Sequence, residues 1–114
     1  MKLKTDFVTN SSSTAYIITN TSEHQRDLVD FVKENPQLIE MFKEEYDYVD
    51  DYKYTQENLI ESARKNNMKF RPGHGEWSAF GDEYGTLIGQ VFDYILREGG
   101  SSENFTWRFS EYLR

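Results

Sequence analysis

Residues 7–18 read FVTNSSSTAYII, two apolar β-type runs around a knot of Asn and Ser. Read as a hairpin, the stretch opens the chain with two antiparallel strands. Upstream, Leu3, Thr5 and Phe7 alternate with Lys2, Lys4 and Asp6, the period of a half-buried strand. Downstream, TAYIIT (Thr14 to Thr19) is apolar on both faces, as a more central strand would be. Between them, TNSSS suits a short loop, because Asn and Ser side chains bond nearby backbone groups. A phosphate cradle would need glycines and an adjacent helix start, and neither is present. As a nucleophile, Ser11, Ser12 or Ser13 would need a His base and an orienting acid, and the histidines are only His24 and His74. A polar hairpin loop accounts for the composition.

Beyond this stretch the period changes. Ser22, with Gln25 at the capping-box position, is the expected cap of a helix carrying Leu28, Val29, Phe31 and Val32. Asn35-Pro36 should end that helix and start the next, whose stripe is Leu38, Ile39 and Phe42, continuing toward Tyr46. Residues 44–54, EEYDYVDDYKY, read as a helix end plus a connector. Thr55 caps a third helix with Leu59, Ile60 and Ala63, ending near Asn66-Asn67. Met68 to Arg71 is a short strand, RPGHG forces a turn, and Glu76 to Phe80 is a returning strand. Tyr84, Ile88, Val91 and Ile95, widened by Leu87 and Phe92, make the last helix, which Gly99-Gly100 stops. Phe105, Trp107 and Phe109 then alternate with Thr106 and Arg108 as a strand with one apolar face. The expectation is an α+β fold of order β-β-α-α-α-β-β-α-β, a mostly antiparallel sheet with helices packed on one face, in a single domain spanning residues 1–114.

Composition narrows the function. Aromatic residues make up 16% of the chain, enough for a core at this size. There is no cysteine, so disulfides, thiolate metal sites and a thiol nucleophile are excluded. The opening Met1 to Asp6 has no apolar signal core and no apolar run is long enough to span a membrane, so the cytoplasm is the expected compartment. The net charge is -7 and unevenly placed: Ser22 to Ser62 holds 12 acidic and 4 basic residues, the rest 8 and 9. This disfavours direct contact with nucleic-acid phosphates and favours a basic protein partner.

The start of the chain also resembles something. Lys2, Lys4, Phe7, Val8, Thr9, Asn10 and Ser11 to Ser13 match M-K-h-K-x-x-F-V-[TS]-N-S-S-S, where h is apolar. This resembles an N-terminal signature of small uncharacterised bacterial and phage proteins. The likeness ends within the first 18 residues or so, and Thr14, Ala15 and Tyr16 depart from the longer Ser run of that pattern. It implies a prokaryotic or mobile-element origin and transfers no catalytic role.

Two candidate sites compete. In residues 44–54, the acids Glu44, Glu45, Asp47, Asp50 and Asp51 lie among tyrosines, with Tyr48 and Tyr52 as candidate anchors. Tyr gives a large contact area at low entropic cost, and carboxylates speed encounter with a basic surface. The competing reading is that the tyrosines pack inward and the acids are solvated. The run lacks the Gly and the period of a calcium loop. The second site is His74 with Glu76, where an exposed His beside an orienting acid could act as a general base, although an ordinary turn looks the same. Asp82 or Glu83 could add carboxylates there, but no spacing demands a metal, and no cofactor is expected. The leading expectation is a non-enzymatic module that binds a basic protein surface as an inhibitor or nucleic-acid mimic. The alternatives are a small enzyme or ligand-binding domain using His74 and Glu76, and a homo-oligomer subunit with Phe105 to Phe109 at an interface.

Overall fold

The strand containing TAYIIT sits inside the sheet, with a neighbour on each side. The computed structural model describes residues 13–46, 52–81 and 85–113. In chain order its elements are β1 (Ser13–Asn20), β2 (Arg26–Asp27), α1 (Leu28–Glu34), α2 (Gln37–Tyr46), α3 (Gln56–Asn66), β3 (Lys69–Phe70), β4 (Gly75–Gly81), α4 (Leu87–Ile95), β5 (Gly100–Ser101) and β6 (Phe105–Leu113). The main sheet has the order β4-β1-β6-β5 with every pairing antiparallel, and β2 and β3 form a second, two-stranded sheet. The fold is therefore α+β, with the helices on one face of the sheet.

Both edges of β1 are occupied: Ser13 lies opposite Gly81 and Leu113, and Thr19 opposite Gly75 and Thr106. The neighbours of TAYIIT are thus β4 and β6; the alternating residues upstream, with Asn10, Ser11 and Ser12, lie outside the described residues. The same competition corrects the turn at RPGHG. Glu76 to Phe80 does not return on the strand before it; β4 crosses to β1, and β3 pairs with β2. The turn is stapled to the end of β1 instead, by Gly73 N–H to the Asn20 carbonyl (2.7 Å) and Asn20 N–H to the His74 carbonyl (3.3 Å).

Alternation along β1 divides the sheet. Tyr16 and Ile18 face the helices and are fully buried, while Ile17 and Thr19 face away. The core is largely aromatic. Phe31 of α1 meets Phe92, Phe105 and Trp107 edge-on at 5.1–5.6 Å, and Phe80 meets Phe92 likewise. Each such ring, once buried, contributes roughly 1.5–3 kcal/mol.

Three local expectations need correction. Ser22 does not cap α1; Asp27 does, in a reciprocal capping box with Asp30, while the Ser22 hydroxyl donates to Asn20 Oδ1. Phe109 shares the helix-side face with Phe105 and Trp107, but it is 36% exposed where they are buried. α4 begins at Leu87, capped by Thr86, and Tyr84 lies outside the described residues.

Candidate functional site

α2 presents Leu38, Ile39, Phe42 and Tyr46 to the core, so Glu44 and Glu45 in its last turn point outward and are exposed. Two tyrosines of the EEYDYVDDYKY run pack inward. Tyr46 and Tyr54 are buried and flank Phe42 at 5.1 and 5.5 Å, and the Tyr54 hydroxyl accepts from Gln90 Nε2 (2.8 Å). Tyr52 does the opposite and is 92% exposed. Asp47, Tyr48, Asp50 and Asp51 lie outside the described residues. The structure thus brings Glu44 and Glu45 onto one exposed helix end and leaves Tyr52 standing in solvent shortly after it in the chain.

Much of the negative charge of this half of the chain has internal work. Asp27 and Asp30 close the capping box. Glu34 accepts from the Ser102 hydroxyl, from Asn104 N–H (2.7 Å) and from Asn104 Nδ2 (2.8 Å). Burial pushes the Glu34 carboxyl up, but these donors outweigh it and hold the group below its ordinary value. Glu40 and Glu61 pair with Lys43 and Arg64 one helical turn away.

Glu76 is engaged by Arg71 rather than by His74. The Glu76 carboxylate is held by Arg71 Nε at 2.8 Å, and this hydrogen bond is the main reason it sits below its ordinary value. His74 is the weakest of the influences on it. His74 lies on the exposed turn and Glu76 is partly buried at the start of β4, while Asp82 and Glu83 are outside the described residues. Among the described residues, no three His, Cys, Asp or Glu side chains gather to hold a metal ion. No helix among them is long and apolar enough to cross a membrane. A cavity of about 490 Å³ lies beside the start of α4, lined by Lys53, Lys65, Ser62 and Thr86 among others. The backbone donors there are committed, Ile88 N–H to the Ser62 hydroxyl and Gly89 N–H to the Thr86 hydroxyl.

Sequence reasoning missed two features. The first is a polar cluster under α4. Asp93 is fully buried and accepts from the Thr14 hydroxyl (2.6 Å) and Arg97 Nη2 (3.4 Å), while its carbonyl accepts from the Tyr16 hydroxyl and Arg97 Nε. Burial pushes the Tyr16 phenol well up. The Arg97 guanidinium lies over Tyr94 (4.6 Å) and Tyr112 (5.1 Å). The signal in the sequence was Asp93 on the apolar run of α4 with Arg97 four residues on, just past the end of the helix. The second is a β-bulge. Tyr16 lies opposite Phe109 and Ala15 opposite Glu111, so Ser110 is the extra residue. In an unbroken strand Phe109 and Tyr112 would face opposite ways. Here they share the helix-side face with their rings 4.8 Å apart, and Tyr112 is 61% exposed.

Comparison with protein-family models, curated proteins and solved structures finds no match to this chain.

Proposed function

We propose that this protein is a non-enzymatic interaction module whose acidic, tyrosine-bearing segment binds a basic protein surface, as an inhibitor or nucleic-acid mimic. The observation that carries the reading is the end of α2. Glu44 and Glu45 occupy its last turn, where the negative end of the helix dipole disfavours carboxylates by roughly 0.3–1 kcal/mol each. Carboxylates set against the helix dipole and facing solvent are what a binding role would retain. Tyr52, wholly outside the core, supplies a ring that a partner can bury. The pairing of Glu76 with Arg71 withdraws support from the general-base alternative. The resemblance of the first residues to bacterial and phage proteins supports a mobile-element origin, and a cytoplasmic site of action suits such a role.

The test is affinity capture from a bacterial lysate, followed by association kinetics with the captured protein. The parent chain is compared with one carrying Glu44→Gln, Glu45→Gln, Asp47→Asn, Asp50→Asn and Asp51→Asn. A basic partner is expected, with an on-rate that falls by roughly tenfold or more when the carboxylates are neutralised or the salt is raised. An on-rate indifferent to both changes sinks the reading.

A further inference from the structure

Among the described residues, the outer side of β6 pairs with β5 at Thr106 and Trp107, and the Ser102 N–H donates to the Phe105 carbonyl just before them. From Arg108 to Leu113 it has no strand beyond it among the described residues. Its side chains there are exposed: Arg108 and Glu111 on the face away from the helices, Phe109 and Tyr112 on the helix-side face. An open edge of this kind is a template for a further strand.

We propose that this edge pairs with the same edge of a second copy, antiparallel about a two-fold axis, joining two sheets into one. Three properties favour a second copy over a foreign strand. The open stretch is self-complementary in length: an antiparallel register centred between Ser110 and Glu111 uses Phe109 to Tyr112 of each copy and stops short of Gly99, which lies beside Arg108. That register puts Phe109 opposite the partner's Tyr112, and Tyr112 opposite the partner's Phe109, on matching faces. Four rings then close over an area that one copy leaves open, and aromatic cross-strand pairs are favourable. On the other face, Arg108 lies diagonal to the partner's Glu111 and Glu111 to the partner's Arg108, so the charges complement twice. The bulges at Ser110 meet near the axis, and the extra twist each adds is common to both strands. Arg97 already braces one face of Tyr112, so the ring is held in place before association.

Sedimentation of the full chain tests this. An edge contact of this size predicts a dimer with a dissociation constant in the micromolar range, roughly 1–100 µM. Arg108→Glu alone and Glu111→Arg alone should each weaken self-association about tenfold, since like charges then lie on both diagonals. Mixing those two variants should restore a heterodimer, in which both diagonals are attractive again. The chain has no cysteine, so Ser110→Cys gives an unambiguous probe, and mild oxidation should cross-link it across the axis. The proposal is overturned if the parent stays monomeric to about 1 mM, if dimerisation ignores the charge changes, or if the mixture fails to associate. Urea midpoints of the single variants identify any that are merely unfolded, and the cysteine variant then decides.

Discussion

Glu34 ties α1 to the loop before β6 through three donors, and its carboxyl is thereby held below its ordinary value. The folded state then holds that proton more weakly than the unfolded chain does. Its stabilising effect is complete above the unfolded pKa and drains away as pH falls through the lower, folded one. Glu34→Gln should cost about 1–3 kcal/mol at neutral pH, and the gap from the parent should narrow as both are acidified below about pH 4. Urea midpoints across that range measure it, and a constant gap would mean the carboxylate charge is irrelevant. Gly89 tests a different balance. Alanine inside a helix gains about 1 kcal/mol over glycine, yet a Cβ there would meet the Gly81 carbonyl oxygen at 2.6 Å and the Thr86 hydroxyl at 2.8 Å. The first contact is backbone and cannot rotate aside, so α4 must lift from β4. The clash should win, and Gly89→Ala should lower stability by about 1–3 kcal/mol. A stabilised variant would show that the helix has room to shift.

β6 shows how far elements can be read from a chain and where the reading stops. Phe105 and Trp107 announce a buried face by alternation, and they are buried. The bulge at Ser110 left no mark in the residue pattern, because it answers to the register of β1, a strand distant in sequence. The same division runs through the molecule. Thr55 caps α3 and Asn67 ends it in the left-handed conformation, as local chemistry suggests, and Asn35-Pro36 separates α1 from α2, with Asn35 closing α1 and α2 starting at Gln37. Ser22 with Gln25 and Asp27 with Asp30 offer the same capping-box spacing, and only the second pair stands directly before Leu28, where α1 begins. Strand partners were not legible, since they are chosen by competition among distant segments. Of the candidate site, the outward placement of Glu44 and Glu45 followed from the helical period, whereas the fate of each tyrosine depended on helices packed from elsewhere. Deleting Ser110 should keep the fold within about 1 kcal/mol, because the remaining residues alternate regularly with Phe109 and Tyr112 still on one face. Loss of folding in that variant would show that the bulge itself is required.

Taken whole, the molecule is organised around β1, whose fully buried Tyr16 and Ile18 sit between two strands from the far half of the chain. Amides of these residues should exchange with solvent only by global unfolding, while Gly100 and Ser101 at the sheet margin should exchange early. Residue-resolved hydrogen exchange checks the ranking, and fast exchange at Ile18 would contradict it. The centrality of β1 also sets a timetable. Ser13 waits for Leu113 and Asn20 for Phe105, so β1, the first of the described strands, is completed by β6, the last of them. At ordinary elongation rates that wait is on the order of ten seconds. Throughout it, TAYIIT is an apolar segment with a missing neighbour, the kind of sequence a nascent-chain chaperone holds. The sheet closes only once β6 has left the ribosome.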